Sequence, residues 1–188
     1  MKKIFGTLLI LAVMLTSTVA MAASRETTYE GADLSTIKRL AVALPMYYRV
    51  ETAEPTFEEF TNIIFDASKV AHGYVISYDE IAANIKRDTG VDIKSLSNEE
   101  ALKTYNDNIA KYADAFIVVT VINSHQAVQF FFDVKDAQSK NFVYGLRYGT
   151  RSIGKNSNDY KKACETFYKK FDKAIDKSIK KAQKNNKD

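Results

Sequence analysis

The sequence predicts an α/β fold: a three-layer or two-layer sandwich with a mixed sheet of about five strands, in the chain order β-α-β-α-α-β-β-β-α. Two observations carry this prediction. Helix-start signals alternate with short apolar runs through the first part of the chain, and two segments with alternating apolar side chains follow them. We therefore expect a sheet that is parallel in part and antiparallel at one end.

Three of the predicted helices begin at one local signal, a Ser or Thr followed three residues later by Glu. Such a pair can form a capping box, in which each side chain satisfies a free backbone N–H group. The three pairs are Thr56 with Glu59, Ser77 with Glu80, and Ser97 with Glu100. The helices that follow are predicted to run to about Ala71, to Asp88 with a stop at Gly90, and to Ala113.

A fourth, lysine-rich helix is predicted at the C-terminal end of the chain. Asn158 or Asp159 is expected to cap it. Cys164, Phe167 and Phe171 are spaced to form its inner face, and most of its lysines point outward. Cys164 is therefore interpreted as a small buried apolar residue.

The predicted strands lie between these helices. They are residues 39–44, 74–77, 115–122, 128–134 and 142–148. The third is apolar at nearly every position, which is typical of a central strand buried on both sides. The last two alternate and are joined by a turn-like segment at 136–141, which predicts an antiparallel hairpin.

Residues 1–22 have the layout of a secretory signal peptide. Lys2 and Lys3 precede an apolar run, and the segment ends with small residues, so cleavage is expected after Ala22. The apolar run is shorter than the roughly 20 residues that a spanning helix needs. The cleavage region has no cysteine to accept a lipid. We therefore expect an exported protein, periplasmic or extracellular, that is not lipid-anchored.

Composition and length predict a single domain after this segment. The expected boundaries are an N-terminal extension at 23–37, one α/β domain at 38–183 and a frayed tail at 184–188. The contents of 46% hydrophobic and 27% charged residues are ordinary for a globular protein. Cys164 is the only cysteine, so the fold cannot rely on an internal disulfide.

The net charge of +4 is concentrated in the lysines of the last helix. A basic helix can face nucleic acid or an anionic membrane, although it is usually the solvated side of an amphipathic helix. Export argues against nucleic acid as a partner. A peripheral contact with an anionic membrane stays open.

The stretch GTRSIGKN, which begins at Gly149, has the glycine spacing of a phosphate-binding loop, and Lys155 stands where that loop has its lysine. The position after the lysine should be Ser or Thr, and here it is Asn156. The stretch also follows the last predicted strand, whereas such a loop follows the first. We interpret it as a connection whose basic residues Arg147, Arg151 and Lys155 can attract an anion.

A second candidate surface follows Pro45. Met46, Tyr47 and Tyr48 are predicted to offer an aromatic contact surface. His72 and His125 are interpreted as a helix-end residue and a loop residue, because neither belongs to a ligand pattern. We predict no catalytic residue, no metal site and no cofactor. The strand ends near Pro45 and Asp79 are the place where a structure would show whether a concave, polar-lined pocket exists.

Three stretches of the chain resemble a known domain. They are the early strand LAVALP, the segment YADAFIVVTVI, and the hairpin VQFFFDVKDAQSKNFVYGLR. Together they resemble the small α/β domain of bacterial envelope proteins, as in the N-terminal domain of TolB and in the curli secretion lipoproteins. In that group alanine, aspartate, an aromatic residue and an aliphatic run lead into the central strand, as Ala113, Asp114 and Phe116 do here.

The resemblance covers about Lys38 to Lys181 and includes the hairpin aspartates Asp133 and Asp136. The chain departs from the group in its hairpin turn, which has no glycine, and in having no lipid-acceptor cysteine. The resemblance implies a non-catalytic domain that works by contact with other proteins or with envelope polymers.

These observations predict an exported, non-catalytic interaction module of the cell envelope, whose partner is another protein or an envelope polymer. Two alternatives stay open. One is an anion- or nucleotide-dependent enzyme that uses the loop from Gly149 to Lys155. The other is a membrane-surface binder that uses the lysine-rich last helix.

Overall fold

The computed structural model describes residues 23–50, 54–124, 127–150 and 156–185. The predicted signal peptide at 1–22 lies outside them. Within the described residues the strands are β1 (Ala23–Thr28), β2 (Arg39–Val42), β3 (Met46–Arg49), β4 (Tyr74–Ile76), β5 (Ala115–Asn123), β6 (Val128–Asp136) and β7 (Phe142–Thr150). The α-helices are α1 (Phe57–Ala67), α2 (Tyr78–Thr89), α3 (Asn98–Asn108) and α4 (Ser157–Asn185).

All seven strands belong to one mixed sheet. Its order is β1-β7-β6-β5-β2-β4, and β3 pairs with β5 beyond the end of β2. The pairs among β2, β3, β4 and β5 are parallel, and the pairs that involve β1, β6 and β7 are antiparallel. The predicted α/β class with a mixed sheet is confirmed, although the described residues form seven strands instead of about five.

The two additional strands are β1 and β3. β1 lies in the segment predicted as an N-terminal extension and pairs with β7 along its whole length. Its side chains from Ser24 to Thr28 are exposed, so the strand has no apolar periodicity that the sequence could reveal. β3 continues the line of β2 after an interruption at residues 43–45 and pairs with the C-terminal half of β5, at residues 120–123.

The helices cover the two faces of the sheet unequally. α1 and α4 pack on one face, where side chains such as Phe60, Phe167 and Phe132 form the larger core. α2 and α3 pack on the other face and form a second core with side chains such as Ile81 and Phe116. This second core reaches only β2, β4 and the first part of β5, so the sandwich has three layers there and two layers over the antiparallel strands.

Two of the three predicted capping boxes are complete. In both, at Thr56 with Glu59 and at Ser97 with Glu100, each side chain accepts from the other residue's backbone N–H group. The third is half formed and corrects the prediction. Ser77 accepts from the backbone of Glu80, but the Glu80 carboxylate accepts from the Tyr74 hydroxyl at 3.3 Å instead of reaching back.

The helix ends also differ from the prediction. α1 and α3 end earlier, because the residues that follow tighten into 3₁₀ turns at Ser68–Val70 and Ile109–Lys111. The stop at Gly90 is confirmed, since this residue takes a φ of 76° at the end of α2. α4 is capped by Asn156 and not by Asn158 or Asp159: its side-chain oxygen accepts from the Asp159 backbone N–H at 3.1 Å.

Candidate functional site

The predicted contact surface at residues 46–48 lies in β3, where successive side chains point to opposite faces of the sheet. Tyr47 points into the larger core, with its ring centroid 5.1 Å from that of Phe60 and 6.0 Å from that of Tyr160. Met46 and Tyr48 point to the other face and are 46% and 60% exposed. The strand therefore presents two of the three predicted residues.

The side chains beside Met46 and Tyr48 follow from strand register. Tyr48 pairs with Ile122, and Met46 pairs with Thr120. Ile122 is 42% exposed. On the far side of β5, Thr120 pairs with Phe131 of β6. Large apolar side chains are thus neighbours across three strands, on a part of the sheet that neither α2 nor α3 covers.

Arg147 extends this surface onto β7. Its side chain pairs with that of Asp133 at a distance of 2.7 Å, and its guanidinium carbon lies 5.1 Å from the ring centroid of Phe131. We name as the open face the side chains of Met46, Tyr48, Thr120, Ile122, Phe131 and Arg147. Arg147 was predicted as part of an anion-attracting patch, and the structure shows its guanidinium already paired with a carboxylate.

The border of the open face carries further charges. Arg25 of β1 is exposed and lies opposite Arg147 in the strand register. Lys135 of β6 has its ammonium group 4.6 Å from the ring centroid of Phe142. With Arg147 and Asp133 included, the cations at this side of the face outnumber the acids.

The other two residues of the predicted anion patch, Arg151 and Lys155, lie outside the described residues. The two ends of the stretch that contains them are described. Gly149 is a strand residue that pairs with Ala23 on one side and Gln129 on the other. Asn156, where a phosphate-binding loop needs a hydroxyl, caps α4 through its side chain.

A groove of about 400 Å³ lies at the carboxyl ends of β2 and β4, and Asp79 is among its lining residues. Its walls are the first turns of α1, α2 and α3 and the 3₁₀ turn at Ile93–Ser95. Leu44 and Phe57 line it and are 38% and 42% exposed. Two further lining residues, Lys94 and Asp79, form a salt bridge in which Nζ lies 2.6 Å from Oδ1.

Two buried polar groups were not predicted from the sequence. Asp172 of α4 is only 7% exposed and accepts from the backbone N–H of His72 at 2.9 Å. Asn123, at the end of β5, is 3% exposed and donates to the Tyr160 hydroxyl at 2.8 Å. Each of these hydrogen bonds joins α4 to a part of the chain that is distant in sequence. The burial of Asp172 and Asn123 therefore cannot be predicted from a local sequence pattern.

The chain has one cysteine and two histidines, of which the structure describes Cys164 and His72. Cys164 is fully buried, and burial raises the pKa of its thiol, which keeps it protonated and inert. His72 is exposed beside Gly73, and His125 lies outside the described residues. No group of three or more described His, Cys, Asp or Glu residues could hold a metal ion.

The apolar side of α4 lies in the larger core, where Phe167 and Phe171 are buried. Only the polar side of this helix, with lysines such as Lys173 and Lys177, is therefore exposed to a membrane surface. None of the described helices has the length and apolar content needed to cross a membrane.

No protein-family model matches the sequence, and no curated protein matches it. Among solved structures, the chain is similar to the PelC dodecamer from Paraburkholderia phytofirmans, with 13% identity, a TM-score of 0.49, and coverage of 78% of this chain and 94% of that chain. It is also similar to the LpoB C-terminal domain from Escherichia coli, with 13% identity, a TM-score of 0.46, and coverage of 66% and 100%.

The chain is also similar to TolB from Acinetobacter baumannii, whose type of domain the sequence resembles, with 7% identity, a TM-score of 0.39, and coverage of 79% of this chain and 29% of that chain. These three likenesses concern the arrangement of strands and helices.

Proposed function

We propose that the protein is an exported, non-catalytic interaction module of the cell envelope that binds another protein through the open face. The observation that carries this proposal is the adjacency of Met46, Tyr48 and Ile122. Each of these large apolar side chains is more than 40% exposed, and register places them side by side on a part of the sheet that no described helix covers.

An uncovered apolar sheet face is unusual in an α/β domain. Both faces of such a sheet are normally covered by helices, because an apolar face that stays in water forgoes the stabilisation that its burial would give the fold. Clustered apolar exposure of this kind marks an interaction site, whereas single exposed apolar residues do not. Met, Tyr, Phe and Arg, which occur on the open face, are also enriched at protein interfaces.

The charges around the open face indicate what kind of surface the partner has. The exposed apolar side chains lie on β3 and β5, next to Phe131 of β6. Arg147, Arg25 and Lys135 lie on the antiparallel strands, and among the charged residues described at this border only Asp133 is acidic. A partner surface that is apolar at its centre and acidic along one edge matches this distribution. We therefore propose a protein partner of that chemistry, in preference to a nucleic acid or a neutral polymer.

The test compares two substitutions of exposed apolar residues. Ile122→Glu places a charge in the open face, and Leu102→Glu makes the same change on α3, where Leu102 is 57% exposed and outside the open face. Tagged wild-type protein and both variants are used to capture partners from envelope extracts, and the affinity of the identified partner is then measured with purified components.

We expect wild-type protein and Leu102→Glu to retain the same partner and Ile122→Glu to weaken its binding by about tenfold or more. An affinity that is equal in all three proteins would contradict the proposal. The melting temperatures of the variants are measured in parallel and should be similar, because both positions are exposed.

A further inference from the structure

The exposed side of α4 carries a long row of lysines. The row follows the helical series in which every third or fourth residue lies on the same side, here residues 162, 166, 169, 173, 177, 180 and 184. Lysine occupies all of these positions except Thr166. We name as the lysine row the side chains of Lys162, Lys169, Lys173, Lys177, Lys180 and Lys184, all of which are exposed.

The lysine row costs the helix some of its stability. Its last four members follow one another at intervals of three or four residues, as Lys173 and Lys177 do, and like charges at this spacing repel. A helix side that only has to be soluble can alternate lysine with glutamate, which replaces this repulsion by attraction. The row extends over about 33 Å of the helix, at 1.5 Å per residue. A repulsive row of this length is better explained by an external anionic surface than by solubility.

Acidic side chains of α4 neutralise little of the row. Lys169 lies 3.8 Å from the Glu165 carboxylate, which is the one salt bridge that the row makes among the described residues. Of the acids within the span of the row, Asp172 is buried, Glu165 is half-buried and Asp176 is exposed. The lysines therefore outnumber the acids that can reach them.

The neighbouring helix α1 brings its acids to the start of the row. The ring centroid of Phe60, in the first turns of α1, lies 5.5 Å from that of Tyr160, at the start of α4. The exposed carboxylate of Glu58 is therefore at this end. Asp66, near the end of α1, is paired with Lys69 at 2.9 Å. The C-terminal half of the lysine row lies farther along α4, away from Glu58.

Two acids from other elements make a salt bridge or a hydrogen bond with α4 side chains in the described part of the chain. Glu26 of β1 pairs with Lys170, and Asp33 accepts from the Ser178 hydroxyl at 3.1 Å. Neither Lys170 nor Ser178 belongs to the lysine row. The charges of the row are thus directed to the outside of the molecule.

We propose that the lysine row binds the surface of an anionic lipid bilayer. The row contains no apolar or aromatic side chain, and the centre of a protein interface needs such anchors. It also contains no arginine, whose rigid fork suits the fixed geometry of nucleic-acid recognition, whereas lysine is a compact and strongly hydrated charge. A fluid bilayer requires no fixed geometry, and each lysine near its anionic surface contributes about fivefold in affinity.

The lysine row and the open face lie on opposite sides of the molecule. α4 packs on one face of the sheet, and the open face belongs to the other. A protein that is held on a bilayer by the row keeps the open face directed away from the lipid. This proposal goes beyond the function proposed for the open face and does not depend on it.

The test measures attachment of the full chain to lipid vesicles by sedimentation. Anionic vesicles contain equal parts of phosphatidylcholine and phosphatidylglycerol, and neutral vesicles contain phosphatidylcholine alone. The neutral vesicles measure any attachment through the apolar run near the start of the chain, which needs no lipid charge. The salt concentration is varied, because ions screen the attraction between exposed charges.

We expect wild-type protein to bind anionic vesicles at least about tenfold more tightly than neutral vesicles at low salt. This excess should disappear at roughly 0.5 M salt, where screening is much stronger. Equal binding to the two kinds of vesicle, or an excess that resists salt, would overturn the proposal. These measurements use wild-type protein, so their result is independent of variant folding.

Two variants with the same change in net charge locate the site. The row variant combines four substitutions in the C-terminal half of the lysine row: Lys173→Gln, Lys177→Gln, Lys180→Gln and Lys184→Gln. The matched control makes the same change at four exposed lysines in the layer of α2 and α3, on the other side of the sheet: Lys86→Gln, Lys94→Gln, Lys103→Gln and Lys111→Gln.

We expect the row variant to bind anionic vesicles at least about tenfold more weakly than wild-type protein does. The control variant should stay within about threefold of the wild type, because its substituted lysines are farther from the bilayer than the screening length. Equal losses in the two variants would show that net charge alone determines binding and would overturn the proposal.

A competitor distinguishes a bilayer from an acidic protein chain. Soluble polyglutamate is added at the same concentration of negative charge as the anionic lipid. A flexible polyanion loses conformational freedom when it aligns along the helix, whereas a bilayer presents its charges in a plane. We expect wild-type protein to stay on the vesicles. Its release by polyglutamate would indicate an acidic protein partner for the lysine row and would overturn the proposal.

Discussion

The Asp114 carboxylate holds Arg39 at the start of the parallel sheet. It accepts from the Arg39 backbone N–H at 2.9 Å and from the guanidinium Nη2 at 3.1 Å, and also from the Lys38 backbone N–H at 3.0 Å. Partial burial acts to raise the pKa of Asp114, but these hydrogen bonds outweigh it and the pKa is lowered. The aspartate that leads into the central strand therefore has a structural role.

The first prediction concerns this contact. Asp114→Ala should lower the free energy of unfolding by about 2 kcal/mol, because it leaves backbone N–H groups without their acceptor. Asp114→Asn should cost less, since the amide oxygen can still accept. Urea denaturation of the three proteins measures both effects. A loss below about 0.5 kcal/mol for Asp114→Ala would show that the contact does not fix the sheet.

The second prediction concerns pH and Asp172. Burial raises the pKa of this carboxyl above its ordinary 3.8, with Asp176 adding to the effect and His72 opposing it. The folded protein thus holds this proton more tightly than the unfolded chain does. The tighter binding of this proton stabilises the folded state fully when the pH is below the pKa of Asp172 in the unfolded chain. This stabilisation is lost as the pH rises through the pKa of Asp172 in the folded protein.

Asp172→Asn should therefore resemble the wild type at low pH and become the more stable of the two as pH rises toward neutrality. The amide can still accept from the His72 backbone N–H. Urea midpoints of both proteins across this pH range measure the difference. A difference that does not change with pH would contradict the assignment of a raised pKa.

The third prediction concerns the hairpin turn, where Lys140 takes a φ of 64°. A side chain costs about 1 kcal/mol in this left-handed region, and glycine does not bear that cost. Lys140→Gly should therefore be more stable than Lys140→Ala by about 1 kcal/mol. Both variants lose the contact of the Lys140 ammonium with the Ala137 carbonyl, so their difference isolates the backbone. Equal thermal stability of the two would contradict the prediction.

The fourth prediction tests which face of β5 is uncovered. Val121 is fully buried and Ile122 is 42% exposed, although they are adjacent. Val121→Ala should cost about 2 kcal/mol, from lost burial and a residual cavity. Ile122→Ala should cost clearly less, even though it removes more atoms. Denaturation midpoints of the two variants measure both losses. A larger loss for Ile122→Ala than for Val121→Ala would contradict the assignment of the Ile122 side of β5 as the uncovered one.

Local signals in the sequence predicted much of the fold. The capping residues Thr56, Ser77 and Ser97 each precede a helix, because a hydroxyl at that position satisfies a free amide wherever the helix lies. The alternation of Val128, Phe130, Phe132 and Val134 corresponds to one buried face of β6. Both signals act over a few residues, so sequence reasoning can find them.

What the sequence did not reveal depends on contacts between distant segments. β1 is exposed and polar, and it belongs to the sheet through its backbone pairing with β7. Asp172 is buried in the fold, where its carboxylate accepts from the backbone N–H of His72, a residue far away in the sequence. The open face itself follows from a pairing register, which places Met46 and Tyr48 beside Thr120 and Ile122 only once β3 is known to join β5.

The most direct test of the central claim is site-specific photo-crosslinking in cells of the source organism. A photoreactive residue replaces Tyr48 on the open face or, as the control, Tyr74 at the far edge of the sheet; the two tyrosines are 60% and 58% exposed. We predict a discrete protein adduct from position 48 that is absent from position 74. No adduct at position 48, or the same adduct at both positions, would contradict the claim that the open face binds a protein partner.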